Sequence, residues 1–268
     1  MSSILENMKV DKQTIEELIR MAVEAGDAIM EVYAGNDFDI RSKDDRSPLT
    51  LADRRSHEII QRRLVHRSPS IPVLSEEGKD TEYEQRRNWS RFWLVDPLDG
   101  TKEFINRRDE FTVNIALIDI DRPVIGVIYA PALNKLYWAS ENLGAWRRDP
   151  GGDTSLAVNK DFSGGIRVVG SRSHAAKEEE EFYARYRVIE KKSIGSSLKF
   201  CLIAEGAADL YYRHGPTYEW DTAAGQCILA CAGGHTVTDN EPLKYNKSSL
   251  LNGSFTASAV IKRPLEQS

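Results

Sequence analysis

Cysteine is scarce: Cys201, Cys227 and Cys231 are the three in 268 residues. So sparse and odd a count excludes a disulfide framework and fits a reducing compartment. Cys227 and Cys231 stand four apart and could share a helix face. A soft-metal pair would need two further ligands nearby, and none is in reach, so core thiols are the simpler reading. No run approaches the roughly 18 apolar residues of a membrane span. Met1 to Met8 lacks the basic start and apolar run of a secretion signal. Basic residues are not in excess either: 36 Lys and Arg face 41 Asp and Glu, for a net charge of −5. That excludes a broad electrostatic grip on a nucleic-acid polymer. Anionic small molecules remain admissible, because bound divalent cations reverse the local sign. The expectation is a cytoplasmic protein with no integral span, peripheral association at the inner membrane being left open. Whether it is a monomer or a homodimer is not legible.

What is present is an ordinary globular balance, 41% hydrophobic and 29% charged, enough for one unit of two lobes. Residues 1–155 are expected to form the first lobe and 156–268 the second. The boundary falls between Gly151-Gly152-Asp153 and Ser163-Gly164-Gly165. Helical spacing predicts a helix from Asp11 to Gly35 and a second from Thr50 through Leu64, with Asp53 in its first turn. A charged loop, Lys43 to Pro48, separates them. Two short apolar runs each end in acid: Ile71-Pro72-Val73-Leu74 before Ser75-Glu76-Glu77, and Phe92-Trp93-Leu94-Val95 before Asp96. Both read as buried strands. Strands follow at Phe111–Ile120, Val124–Tyr129, Lys135–Ala139 and Ala145–Arg147, extending an antiparallel sheet. The second lobe alternates: strand Ile166–Val169, helix Ala175–Tyr186, helix Ser197–Glu205, strand Asp209–Tyr212, helix Asp221–Ala232 and a last strand His235–Thr238.

The chemistry concentrates at Asp96-Pro97-Leu98-Asp99-Gly100-Thr101. Pro97 fixes its own φ and disfavours helix at Asp96, so the chain turns at the strand end. Such a turn can aim both carboxylates into one space and expose the Leu98 carbonyl. These are hard oxygen donors of the kind Mg²⁺ or Ca²⁺ takes. An Asp-Gly turn accounts for Asp99 and Gly100 but not for Asp96 at the end of an apolar strand, nor for the acid end at Glu76-Glu77. Two buried strands ending in bare carboxylates repel unless a cation lies between them. Asp221, in Trp220-Asp221-Thr222-Ala223-Ala224, reads either as an ordinary helix cap or as a third acid of the same site, at a helix end that favours phosphate.

These segments resemble the inositol monophosphatase superfamily. The carriers are Leu74-Ser75-Glu76-Glu77, the pattern W-x-x-D-P-x-D-G-T from Trp93 to Thr101, and the later Trp220-Asp221-Thr222-Ala223. Within it, Lys102-Glu103-Phe104, Glu110 to Ala116, Ser171-Arg172-Ser173-His174, Gly195 to Phe200 and Gly215-Pro216-Thr217 are similar to the bacterial CysQ type of 3'(2'),5'-bisphosphate nucleotidase. The resemblance implies an α/β fold, a five-layer αβαβα sandwich. It implies metal ligands at Glu76, Asp96, Asp99, Asp221 and the Leu98 carbonyl, holding about two to three Mg²⁺ ions. Thr101, paired with Asp53 or Glu76, would orient and deprotonate the attacking water. Without the resemblance Asp53 is equally a first-turn aspartate placed by the helix dipole.

Leu98, Asp99, Gly100, Thr101 and Asp221 would surround the reacting phosphate. Ser196 and Lys199 would meet a second phosphate, and Ser173, His174 and Arg213 would line a nucleotide pocket, with a surface role open for His174 and Arg213. The implied activity is hydrolysis of adenosine 3',5'-bisphosphate to AMP and phosphate, a step linked to sulfate assimilation, with lithium inhibition. The alternatives are an inositol monophosphatase or sugar bisphosphatase on the same metal core, or an inactive metal-binding regulatory protein.

Overall fold

The computed structural model describes residues 10–35, 38–42, 48–78, 81–173 and 176–259. Helix α1 (Lys12–Ala34) starts where the Asp11 carboxylate accepts the Thr14 amide at 2.8 Å, and it stops at Gly35. Its residues Ile15, Leu18, Ile19, Ala22, Ala25 and Ile29 recur three and four apart and are all buried, the stripe an amphipathic helix needs. Helix α2 (Leu51–Arg67) has a thinner stripe. It depends on its start, where Thr50 and Asp53 cap each other. A short ribbon, β1 (Arg41–Ser42) with β2 (Pro48–Leu49), precedes it. Most of the charged loop, 43–47, lies outside the described residues.

Sheet one runs β3 (Val73–Ser75), β4 (Arg91–Asp99), β5 (Thr112–Asp119), β6 (Arg122–Ala130), β7 (Lys135–Ser140), β8 (Gly144–Asp149) and β9 (Gly152–Ser155), in that spatial order. It is antiparallel except at its edge, where β3 and β4 are parallel. The segment between them carries the chain back across the edge through a short helix, α3 (Tyr83–Arg86), as a parallel pair requires. Helix α4 (Thr101–Ile105) follows β4 directly. Both faces of the sheet are covered. Trp93, Val95, Val113, Ile115 and Leu117 pack with α1 and α2 on one side. Phe92, Leu94, Ala116 and Ile118 belong to the core on the other. That is why these strands read as unbroken apolar runs.

Sheet two has the order β11 (Val188–Ile194), β10 (Ile166–Ser171), β12 (Leu210–Arg213), β17 (Phe255–Ser258), β14 (His235–Thr238) and β15 (Glu241–Pro242). It is parallel from β11 to β12 and antiparallel beyond. A small pair, β13 (Thr217–Tyr218) with β16 (Leu251–Asn252), stands apart. Helices α6 (Leu198–Ala204) and α7 (Glu219–Cys231) lie between the sheets, α7 against both, and α5 (Lys177–Tyr183) packs outside against β12. The layers are therefore αβαβα. Cys201 and Cys227 are buried in the middle layer. Among the described residues, no helix is long and apolar enough to cross a membrane.

Three sequence expectations need correction. The predicted helix Ala175–Tyr186 is shorter, Lys177–Tyr183, and the chain then forms β11. That strand is an exposed edge whose Glu190, Lys191 and Lys192 carry no apolar alternation. His235–Thr238 is not the last strand, because Phe255–Ser258 returns between it and β12. Helix α7 begins at Glu219, with Tyr218 as its cap, rather than at Asp221.

Gly126 sets how closely α7 meets sheet one: a Cβ there would lie 2.5 Å from the Ala224 carbonyl oxygen and 3.0 Å from the Cys227 Cβ. Gly126→Val is expected to cost about 1–3 kcal/mol through overpacking. Gly151→Ala, with nothing within 4 Å of its Cβ, should stay within about 0.5 kcal/mol. Denaturant unfolding of the two variants checks this.

Candidate active site

The site begins with strand register. Ser75 pairs with Val95 in the parallel edge, and the Glu76 amide donates to the Val95 carbonyl at 3.1 Å. Glu76 and Asp96 thus leave adjacent strand ends side by side. Beyond Asp96 the pairing of β4 with β5 slips: Asp96 pairs with Asn114, and the next paired residue is Asp99, opposite Thr112. This bulge is where the chain turns. The Asp96 carboxylate accepts the Leu98 amide at 3.0 Å, and the Ser56 hydroxyl donates to the Pro97 carbonyl at 2.7 Å. Asp99 accepts the Asn114 side-chain amide at 3.2 Å and the Ser197 amide at 2.5 Å. Gly100 then takes a left-handed φ of 93°, natural only without a Cβ, and opens α4 at Thr101.

The Thr101 hydroxyl lies 3.2 Å from Asp53 Oδ1 and 3.3 Å from the Leu98 carbonyl oxygen. Asp53 is buried behind it, its other oxygen taking the Thr50 amide and hydroxyl at 2.7 and 2.5 Å. Asp53 is therefore at once a helix-capping residue and the partner of Thr101. Asp221 plays the matching part on α7. It is the third helical residue, and its Oδ2 accepts the Tyr218 amide at 2.8 Å.

A cleft of about 630 Å³ joins these groups, lined by Glu76, Asp96, Leu98, Asp99, Thr101 and Asp221 on its acidic side. Ser196, Lys199 and Arg213 line it as well. Lys199 is buried and donates to the Ser196 carbonyl at 2.5 Å. Arg213 is also buried, which sets aside a surface role, and its Nε donates to the Gly215 carbonyl at 3.1 Å. Ser173 is exposed and does not itself line the cleft; its hydroxyl donates to Oε1 of the lining residue Glu103 at 2.5 Å. His174 lies outside the described residues.

Electrostatics mark the acids as mutually unfavourable. Burial pushes the Asp96 carboxyl well above its ordinary range, and the Glu76, Asp99 and Asp221 charges push it further. Burial, then Asp99 and Glu76, raise Asp221 in the same way. Asp99 is pushed up to about 6 by burial, although Lys199, Asn114 and the Ser197 amide pull against it. Burial lowers Lys199, with Asp99 opposing. Such a set suits a hard divalent cation, which would remove the repulsion. Among the described residues no three acid, imidazole or thiol side chains form a ready metal-holding group. The acids border an open cleft instead, and Mg²⁺, which keeps several waters, does not need a closed protein cage.

Glu103 and Trp220 carry the family resemblance but are given no site role by the sequence, and Tyr211 and Tyr218 are not marked by it at all; all four line the cleft. Tyr218 and Trp220 stack at 4.7 Å and 9°. Asn114 and Ser197, which hold Asp99, were also passed over as site residues. The signal for Asn114 was available: a lone amide in the apolar run Val113 to Ile118 is a buried polar group needing a partner.

Residues 11–266 match the model of the Inositol monophosphatase family. The 3'(2'),5'-bisphosphate nucleotidase CysQ of Escherichia coli strain K12 is 48% identical over 247 residues, covering 91% of this chain and 99% of that protein. CysQ of Haemophilus influenzae is 33% identical over 252 residues, covering 92% and 93%. The crystal structure of CysQ from Bacteroides thetaiotaomicron, a bacterial member of the inositol monophosphatase family, superposes with a TM-score of 0.82 at 40% identity. It covers 95% of this chain and 100% of that one. Shared sequence and shared layers extend over nearly the whole chain, and the protein belongs to the inositol monophosphatase family.

Proposed function

We propose that this protein is a Mg²⁺-dependent 3'(2'),5'-bisphosphate nucleotidase that converts adenosine 3',5'-bisphosphate to AMP and phosphate. It would act in the cytoplasm, where sulfate assimilation generates that nucleotide. Identity to CysQ over nine-tenths of the chain supports the substrate. The observation that carries the chemistry is the convergence of Glu76, Asp96, Asp99 and Asp221 on one cleft that also holds Lys199 and Arg213.

Glu76, Asp96, Asp99, Asp221 and the Leu98 carbonyl would hold the metal, two to three ions by family precedent. When bound, Mg²⁺ supplies Lewis-acid polarisation of phosphoryl oxygens and acidification of water. Asp53 accepts the Thr101 proton and so turns the hydroxyl's lone pairs toward the cleft. There Thr101 accepts a hydrogen bond from the attacking water, and the water's proton moves through Thr101 to Asp53. The water oxygen bonds to phosphorus as the ester P–O bond breaks, a solvent water gives a proton to the released ribose oxygen, and the proton held by Asp53 returns to solvent. Gly100 and Thr101 amides steady the reacting phosphate. Ser196 and Lys199, with an N–H beyond the one given to the Ser196 carbonyl, meet the second phosphate. Arg213, which lines the cleft, and Ser173, joined to its wall through Glu103, would border the nucleoside. The proposed lobes, 1–155 and 156–268, would each supply one side, and the oligomeric state does not enter.

A turnover panel tests the reading. Adenosine 3',5'-bisphosphate should be preferred over inositol 1-phosphate, and a preference of about tenfold or more for the inositol ester, some 1.4 kcal/mol in the barrier, would overturn it. Thr101→Ala and Asp53→Asn should each lower kcat by about 10²–10⁴-fold with a much smaller change in KM, as loss of proton transfer demands. Chelation should abolish phosphate release and Mg²⁺ should restore it. Mg²⁺ at about 100 times its Kd should also stabilise the fold by about 2.7 kcal/mol, read as a rise in Tm that Asp96→Asn diminishes.

A further inference from the structure

Glu103 is the acid of the cleft that the chemistry above leaves without a task. It lines the cleft while only 5% exposed. Oε1 accepts the Ser173 hydroxyl at 2.5 Å. Among the described residues Oε2 has no hydrogen-bond partner, and it is not one of the polar atoms sealed from solvent without one. Oε2 is therefore open to solvent, on a side chain that lines the cleft. A Cβ on Gly195 would come within 2.6 Å of Glu103 Cγ, so the Gly195 backbone passes close beside its stem. Nor is Oε2 remote from the reaction. It lies 3.5 Å from the point where a Cβ of Gly100 would stand, beside the amides assigned to the reacting phosphate.

A carboxylate only accepts hydrogen bonds, and beside a phosphate it repels the anion. Its partner on the substrate must be a donor close to the scissile ester. On a ribose bisphosphate that donor is the vicinal hydroxyl, the 2'-hydroxyl of a 3'-phosphate or the 3'-hydroxyl of a 2'-phosphate. The amino group of the base is separated from the ester by the sugar and the ring system, so it is not a donor next to the scissile phosphate. We propose that Glu103 is a specificity-determining residue that accepts the hydroxyl vicinal to the scissile phosphate, with Ser173 holding its other oxygen in place. This rests on the nucleotidase reading and deepens it. One acceptor at this point serves either positional isomer, because each places a free hydroxyl next to the ester.

The test compares adenosine 3',5'-bisphosphate with its 2'-deoxy analogue in the Mg²⁺-loaded wild type and in Glu103→Met, which keeps the length and removes the acceptor. Wild type should favour the ribo substrate in kcat/KM by about tenfold to a hundredfold, the range for a hydrogen bond to a charged group. Glu103→Met should bring the ratio to near one by losing activity on the ribo substrate alone. If that variant does not fold, Glu103→Leu, which also lacks an acceptor, is read the same way. Equal wild-type rates on both substrates, an undiminished ratio in the variant, or equal losses on both would each overturn the proposal. Failure of the wild type to turn over either nucleotide would overturn the nucleotidase reading instead.

Discussion

Four carboxylates that repel one another are brought to one junction, and much of the architecture serves to hold them there. Asp96 is 1% exposed and shares its surroundings with Glu76, Asp99 and Asp221. Like charges out of water are costly unless paired or hydrogen-bonded. The chain meets that cost with backbone amides and neutral donors at fixed points: Leu98 to Asp96, Ser197 and Asn114 to Asp99, Tyr218 to Asp221. Ser197 and Tyr218 are the caps that start α6 and α7, while Leu98 and Asn114 lie within β4 and β5 on either side of the bulge. Helix caps and strand residues thus share the task of assembling the site.

The junction has to be stiff because it spans the layers. Glu76, Asp96 and Asp99 come from sheet one, Asp221 from α7, and Ser197 and Lys199 from the turn into α6. Helix α7 lies against both sheets, and Gly126 lets its backbone come to rest on β6. Its start is anchored separately. Buried Glu219 accepts the Asn246 and Lys247 amides at 2.7 and 3.0 Å, and Arg86 donates to the Lys247 and Ser248 carbonyls at 2.6 and 3.0 Å. The crossover that follows Glu76 is thereby tied to the loop that fixes the helix bearing Asp221.

Across the cleft a second set of contacts holds the far wall. Arg172 makes a paired bond to Glu110 and donates to the Ser193 carbonyl, while Glu110 also takes the Gly195 amide at 2.9 Å. Glu110 leads into β5 of sheet one, and its partners end β10 and β11 of sheet two. The turn carrying Ser196 and Lys199 is thus set relative to Thr101 by contacts between sheets.

Much of this was legible in the residues. The helix at Asp11, the capped helix at Thr50, the apolar strands ending in acid and the turn at Pro97 all follow from local rules of spacing, capping and φ restriction, which act within a few residues. The strands β11 and β17 were not legible. One is a charged sheet edge and the other is recognised only by its neighbours β12 and β14, so neither carries a periodic apolar signal. The start of α7 at Glu219 was hidden for a similar reason: Asp221 reads as a cap until its bond to the Tyr218 amide is seen. The residue types that can ligate a metal were therefore determined by the sequence itself, because carboxylates at strand ends and the order of the motifs are properties of the chain. Which of them meet, that Arg213 and Lys199 are buried beside them, and that Glu103 lines the same cleft with one oxygen open to solvent were decided by tertiary structure alone. Those facts depend on register, on the slip between Asp96 and Asp99, and on the closeness of α7 to sheet one, none of which is written in any local stretch of sequence.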